Sequence, residues 1–430
     1  MSAETDFYIP FNQEQLNTAL KKHRRFMNGE LDGARIVLQN HDLSGLDFSM
    51  QDLSQGDFSG SLMSDTNLFG ANLKSASFFG CDMSNANLRD ANMMRVDLRG
   101  ARLTGADLGG ADMTDADLRE GKIMERGADG TLQEVKREVA KETAQTILTG
   151  ARMRGTTMTG VQAYNADFSD ADFTGAQMNR CDLESANFIG ANLANADMSS
   201  TKLVNADLRE SVMTGAIMDN VDDHGAVKFG AITEADMGNK LEHLGKTLEE
   251  LLEEHTLWVS TAGKYGQKLD LSEYDLRDVI DLRRSPLTAI EARSAVFIGQ
   301  DLRDAEMQSA IFDQCDFRDC DLRGADLRAS RFKYANFTRA ELEGAILCPL
   351  EFRKDGQESR LQRSDLSGCV MKYGNLEGAD LRDCIMMGID LSYANLKYAD
   401  LRRADLTGAI LDHADLRGAK LEGTLLDFSD

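Results

Sequence analysis

The side chains in this chain that could do chemistry are a few histidines, seven cysteines and a dense field of carboxylates and arginines. His23 and His255 each end an amphipathic run, with an aromatic residue three places on, Phe26 and Trp258. Neither has a carboxylate, cysteine or second histidine at a ligand spacing. Each is therefore read as packed at a helix end and bonded to a backbone carbonyl. Cys81, Cys181, Cys315, Cys320, Cys369 and Cys384 recur in one phase of a five-residue period, which speaks against a zinc site or a disulfide framework. They are read as small buried hydrophobes, with Cys348 alone out of phase. Aspartates such as Asp301 and Asp321 should stack, repel weakly and shift each other's pKa, with Asn336, Arg323 and Arg328 in relief. The row Arg303, Arg318, Arg323 and Arg328 could meet an anion, but neighbouring aspartates favour self-neutralising pairs. No nucleophile, base and oxyanion donor converge, and the sequence contains no phosphate loop, HExxH or paired CxxC. The expectation is a protein that is not an enzyme, with no catalytic residue, no metal and no cofactor.

A five-residue period is what positions these side chains. From Leu366 a large apolar residue returns at every fifth place, through Met371, Leu376, Leu381, Met386 and Leu391. Two places earlier sits a small residue, usually Ala, with Asp or Asn between. A helix repeats at 3.6 and a strand at 2, so neither presents this stripe on one face. A chain that turns a corner once per repeat does. Four sides close a square coil of about twenty residues, stacked at roughly 4.8 Å. The large and small residues then point inward. Asp or Asn faces out, and so does the following pair, often ending in a glycine that tolerates the corner.

These A-(D/N)-L-x-x units resemble the pentapeptide-repeat family, and the likeness covers most of the chain. The resemblance implies an all-β solenoid, a right-handed quadrilateral β-helix. In this chain it is disposed as two arrays, each preceded by a capping α-helix.

Acidic residues number 72 against 48 basic ones, a formal charge of -24 spread through both halves. That surface disfavours direct nucleic-acid binding. It either keeps a rod soluble or imitates DNA, and the interleaved basic residues favour solubility. No stretch is apolar enough for membrane insertion, and Met1 to Pro10 lacks the features of a signal peptide. With the cysteine usage, this points to a cytoplasmic protein. The three prolines, Pro10, Pro286 and Pro349, fall outside the clean repeats.

Residues 1–30 read as an N-terminal helical cap, with Leu16, Leu20, His23 and Met27 on one face. Residues 31–237 form the first solenoid, with an insertion at 124–146. There an Asp129-Gly130 turn precedes a charged helix from Thr131 to Lys141. Leu148 resumes in register, so the insertion is expected to loop out from one corner of an unbroken coil. Residues 238–262 carry a central amphipathic helix with the stripe Leu241, Leu244, Leu248, Leu251, Leu252, His255 and Val259. Residues 263–430 form the second solenoid. It slips by one residue near Asp278 to Arg284 and has an insertion at 348–360 with an Asp355-Gly356 hairpin signal. Leu361 is expected to resume the array in a different register. The order His23, Phe26, Gly33, Asp42-Leu43 repeats as His255, Trp258, Gly266, Asp275-Leu276, which suggests two copies of one unit. The repeats run nearly to Asp430, so the last coil is expected to be uncapped and to offer a homodimer contact.

The function expected is a non-enzymatic rigid scaffold for protein–protein interaction. Its protein partner would be read through the solenoid faces and the two insertions. The candidate residues are Lys136, Arg137 and Lys141 in the first insertion, and Phe352, Arg353 and Lys354 in the second. The alternative comes from the resemblance. Some pentapeptide-repeat proteins mimic duplex DNA, bind DNA gyrase and protect it from quinolones. This chain shares their acidity and projecting insertions. It departs in its length, central helix, doubled arrangement and outward arginines, and in lacking a C-terminal dimerising helix. A purely structural spacer is the third reading.

Overall fold

The computed structural model describes residues 8–120, 124–126, 132–134, 145–233, 238–279, 281–352 and 359–426. The chain forms two compact units, Met1–Asp236 and Met237–Asp430. Both are built from one local device. The residue two places after nearly every large apolar residue has a positive φ, as at Asn85 (58°), Asp90 (55°), Gly105 (67°) and Tyr393 (60°). A left-handed residue there closes a tight turn, and the third residue on donates back, as the Ala71 amide does to the Leu68 carbonyl at 3.1 Å. Gly and Asn suit the position because they bear that φ at least cost. The outward Asp or Asn has a matching role: Asp82 Oδ1 accepts the Ser84 amide at 3.0 Å and the Ser84 hydroxyl at 2.6 Å. The A-D-L-x-x unit is thus one short edge and one self-capped corner.

Successive coils pair in parallel through these outward positions, as in Asp47 with Asn67 and Asn67 with Asn87. The backbone amides between corners are committed to that ladder; Leu68 donates to the Asn87 carbonyl at 2.7 Å. Inside, the large and small residues form one core per unit. Rings stack along the axis in the second unit, Phe297 on Phe317 at 4.7 Å and Phe317 on Phe337 at 4.8 Å.

In the first unit β1 (Ile9–Pro10) pairs in parallel with β2 (His41–Asp42). Helix α1 (Gln13–Met27) begins at an Asn12–Gln15 capping box. It buries Leu16, Leu20 and His23 against the first coils. The second unit repeats the plan. There β5 (Asn239–Lys240) pairs with β6 (Tyr274–Asp275), and α2 (Leu248–Ser260) packs Leu248, Leu251 and Leu252 on the core. The apolar stripe from Leu241 to Val259 is not one helix. Leu241–Leu244 is a 3-10 turn, Gly245 takes φ 68°, and Thr247 starts α2 anew with its own capping box. The two histidines also correspond. His255 Nδ1 accepts the Leu269 amide at 3.0 Å and Nε2 meets the Thr288 carbonyl at 2.8 Å. His23 Nδ1 accepts the Ile36 amide at 3.2 Å, and the Ser54 backbone lies on its ring as the Thr288 carbonyl does on His255, though among the described residues no bond of ordinary geometry reaches its buried Nε2.

The slip in the second array is one extra residue in its first coil. Asp270 and Asp275 pair twenty-one places on, with Glu291 and Val296, and from Pro286 with Glu306 the spacing is twenty. Pro286 lies in this irregular start of the array, ahead of the clean repeats. It occupies the first complete row, where no preceding coil demands its missing N–H.

Candidate functional site

Two arms leave the coils at corners. In the first unit the coil runs Leu118–Arg119–Glu120, departs, and re-enters at Thr146–Ile147–Leu148, with Arg102 pairing Ile147 across the gap. The arm contains a hairpin, β3 (Met124–Arg126) antiparallel to β4 (Leu132–Glu134). Leu132–Glu134 is therefore strand where the charged pattern suggested helix. Leu, Gln and Glu are good helix formers, so here cross-strand pairing with Met124–Arg126 overrides local propensity. Lys136, Arg137 and Lys141 lie outside the described residues, as does Ile123, which the period placed in the first array.

In the second unit the coil departs after Leu347 and re-enters at Ser364–Asp365–Leu366, with Arg331 pairing Asp365. The arm is a hairpin of β7 (Leu350–Phe352) and β8 (Arg360–Gln362). Leu361 belongs to β8 and is 58 % exposed, so the array resumes at Leu366 and not at Leu361. Periodicity cannot separate the two because both are leucines beside a break. Phe352 is 45 % exposed and stands directly opposite Arg360, hence on the same face of the ribbon. Arg353 and Lys354 lie outside the described residues.

The root of this arm is tied on both sides. Gln362 Nε2 donates to the Ala329 carbonyl at 2.7 Å, toward the preceding coil. Arg363 donates to the Asp383 carbonyl, and through Nη2 to the Cys384 carbonyl at 3.1 Å, toward the next. Buried hydroxyls close both roots. Thr146 Oγ1 lies 3.2 Å from the Leu98 and Arg119 carbonyls and accepts the Gly100 amide at 3.0 Å. Ser364 Oγ lies 3.2 Å from the Leu327 carbonyl and 2.7 Å from that of Leu347. Sequence reasoning missed Arg360, Gln362, Arg363 and both hydroxyls. The one available signal was a Ser or Thr in the slot that Ala usually fills, immediately after a break.

The outward arginines are spent locally. In Asp-Leu-Arg the guanidinium folds back on the aspartate two residues earlier: Arg303 Nε meets Asp301 Oδ1 at 2.8 Å and Nη2 meets Oδ2 at 2.6 Å. Arg323 and Arg328 do the same with Asp321 and Asp326. Arg318 does so with Asp316 and is buried besides. The Arg303 guanidinium and amide hold Asp301 below the usual carboxylate range despite some burial.

The in-phase cysteines are inert. Burial pushes Cys81 and Cys181 up to about 12, against weaker help from nearby backbone amides. Each donates its thiol to a carbonyl of the preceding coil, Cys81 to Phe58 and Cys181 to Met158, both at 2.9 Å. Cys348 at the second arm's root is only partly buried; burial and then the nearby Asp380 carboxylate raise it. Among the described residues no group of three or more His, Cys, Asp or Glu side chains could hold a metal ion, and no helix is long and apolar enough to cross a membrane.

The family model described as "Pentapeptide repeats (8 copies)" matches residues 52–85, 81–120, 176–215, 191–222, 281–319, 310–347, 357–388 and 384–423. A second model, "Pentapeptide repeats (9 copies)", matches 144–187. No curated protein sequence matches the chain significantly. Among solved structures, HetL, a pentapeptide repeat protein involved in heterocyst differentiation regulation in the cyanobacterium Nostoc sp. strain PCC 7120, is 19 % identical. That match covers 98 % of this chain and 99 % of that one, with a TM-score of 0.19. QnrB1, a plasmid-mediated fluoroquinolone resistance protein, is 21 % identical over 50 % of this chain and 94 % of its own, with a TM-score of 0.20. A pentapeptide repeat protein of the Arabidopsis thaliana thylakoid lumen is 30 % identical over 31 % of this chain and 67 % of its own, with a TM-score of 0.15. These superpositions are poor, and the repeat models are the stronger finding.

Proposed function

Because the chain belongs to the pentapeptide-repeat family, whose coil is a scaffold without a built-in reaction, we propose that this protein is a non-enzymatic recognition rod. It engages a protein partner in the cytoplasm through its faces and its two arms. The observation that carries this reading is the second arm. A ribbon tied to the coils on both sides, by Gln362 and Arg363, holds Phe352 and Leu361 out in solvent. Phe352 lies on one face of the ribbon and Leu361 on the other, so each face carries an exposed apolar side chain on a rigid base, which folding alone does not require. Lys136, Arg137, Lys141, Arg353 and Lys354 complete the contact set by their place in the arms. The inward residues of the last described coil are incompletely covered, Leu421 being 38 % exposed, and a second copy docking there would make a homodimer.

The test is capture of a partner by tagged protein from its native lysate, beside a version with Lys136, Arg137, Lys141, Phe352, Arg353 and Lys354 all changed to Ala. Loss of a specific partner with unchanged thermal unfolding supports the reading, and retained capture defeats the site assignment. Sedimentation of the purified protein tests the dimer.

The net charge of -24 favours a second reading, a DNA-mimicking protein that binds and protects gyrase. Against it, the outward arginines neutralise many of the outward aspartates at contact distance. A supercoiling assay with a quinolone present separates the two: protection selects mimicry, and no protection together with no gyrase binding eliminates it.

A further inference from the structure

We propose that mild acid unlatches the caps α1 and α2 from their solenoids, because in each cap one buried histidine clips helix to coil and can do so only while its ring is neutral. The switch governs access to the covered coil ends, whatever the arms bind.

The same clip is built twice. After α1 the chain runs back along the helix. The Ala34 amide donates to the Lys22 carbonyl at 3.0 Å, and the Ile36 amide donates to His23 Nδ1 at 3.2 Å. After α2 the Gln267 amide donates to the Glu254 carbonyl at 3.2 Å, and the Leu269 amide donates to His255 Nδ1 at 3.0 Å. An aromatic ring stacks on each imidazole with an interplanar angle of 17°, Phe26 at 6.0 Å and Trp258 at 5.8 Å. Both histidines are fully buried, and His255 is the one residue of α2 that is. Each continues a leucine stripe, Leu16 and Leu20 in α1, Leu248, Leu251 and Leu252 in α2. Packing alone would be served by another leucine, and a glutamine could accept the same amide without titrating. Histidine is the side chain whose charge changes near neutrality.

A ring protonated on Nδ1 turns from acceptor to donor and meets the Ile36 or Leu269 N–H donor against donor. The surroundings resist that charge while the cap is closed. At His23 burial is the largest influence and Arg35 adds to it, against Asp52 and the Ser54 backbone. At His255 burial again leads and Lys268 adds to it, against the Thr288 and Gln267 backbones. A lifted cap hydrates its imidazole and binds the proton more readily, so falling pH favours opening. Few buried side chains oppose it: α1 buries Leu16 and Leu20 beside the histidine, and the leucines of α2 are only partly buried. Segments held this way open locally while the coils stay closed through their ladders. An open cap bares the apolar end of the coil and its strand edge.

Trp258, the only tryptophan of the chain, reports on α2. Its quenching by acrylamide, which is uncharged, should roughly double between about pH 8 and about pH 5 in the full-length protein. The change should reverse when the pH is restored, and thermal unfolding should stay cooperative. Phe26→Trp combined with Trp258→Phe moves the reporter to α1 and should give the same rise. His255→Gln and His23→Gln should each hold the quenching of their own cap's reporter low throughout. Quenching that does not change with pH overturns the switch. So does an equal rise in the glutamine variants, which would assign the acid response to carboxylates. A glutamine variant already open at high pH leaves the decision to midpoints in the unsubstituted protein. There the NMR titration of the ring whose signal that variant lacks must share its midpoint with the quenching change, and separate midpoints overturn the proposal.

Discussion

Thr146 and Ser364 hold the same place in two different coils: each fills the small inward slot just after an arm and joins the arm's point of departure to the coil before. Thr146 does so through Arg119 and Leu98, and Ser364 through Leu347 and Leu327. Both side chains are fully buried. An alanine at 146 would take away the partner of the buried Gly100 amide and of the Arg119 carbonyl, and one at 364 would leave the Leu327 and Leu347 carbonyls with only the Ser330 amide and the Cys384 thiol. Thr146→Ala and Ser364→Ala should each cost about 1–3 kcal/mol in chemical denaturation, and Thr146→Ser and Ser364→Thr should cost much less. An unchanged midpoint in the alanine variants would mean that the arms close without the hydroxyl.

The paired histidines predict a response to mild acid. Burial lowers the pKa of both from 6.5; Asp52 opposes this at His23, as the Thr288 carbonyl does at His255. A histidine lowered on folding contributes stability that is complete above its ordinary pKa and is lost as pH falls through the folded value. The geometry agrees, because a protonated Nδ1 can no longer accept the Ile36 or Leu269 amide. Hydrogen exchange of α1 and α2, corrected for intrinsic rates, should quicken between about pH 7 and pH 5. His23→Gln with His255→Gln should flatten that change. Protection independent of pH in the unsubstituted protein would refute it.

The coil was legible because its rule is local. Each A-D-L-x-x unit carries its own corner, from the left-handed residue to the aspartate that caps the following amide. The two-copy arrangement was legible for the same reason. Gly33 and Gly266 lie so close to the helix backbone that an added Cβ would come within 2.2 Å of Phe26 N and Glu254 O, respectively. What failed was non-local. Leu361 looks like a repeat residue, and only cross-strand pairing with Glu351 puts it in the arm. The stripe from Leu241 to Val259 looks continuous, and only the positive φ at Gly245 and the Thr247 cap divide it. Arg363 gave no signal, since its partners are backbone carbonyls of another coil.

The Asp-Leu-Arg clamps predict loss of stability in stronger acid. Hydrogen bonds from Arg209 hold Asp207 below its ordinary value against some burial, and Arg402 does the same to Asp400. Carboxylates depressed on folding stabilise fully above the unfolded pKa, near 4, and that contribution disappears as pH falls through the folded values. The thermal midpoint should therefore fall steeply below about pH 4, after the shallower histidine change. Replacing Arg209, Arg303 and Arg402 with Gln should make the acid-limb slope shallower. A slope unchanged in that variant would show that the aspartates are held down by backbone amides alone.

Asp319–Arg339 and Asp383–Arg403 offer a controlled comparison of what burial does to an ion pair. The geometry is nearly the same: twenty residues apart, Nε to Oδ1 at 2.7 Å in both, and Nη2 to Oδ2 at 2.9 and 2.6 Å. The side chains of Arg339 and Asp319 are 2 % and 1 % exposed, against 60 % and 23 % for Arg403 and Asp383. Water competes for the second pair and screens it, so Arg403→Met should leave the urea midpoint close to its original value. In the first pair, removing one partner leaves the other charge buried away from water, with the buried Arg318 guanidinium as a charged neighbour. Arg339→Met or Asp319→Leu alone should cost about 3–5 kcal/mol. Removing both should recover much of that loss, because two desolvated charges vanish together. If the double variant is as unstable as either single one, the pair stabilises the corner through its hydrogen bonds and not merely by mutual neutralisation.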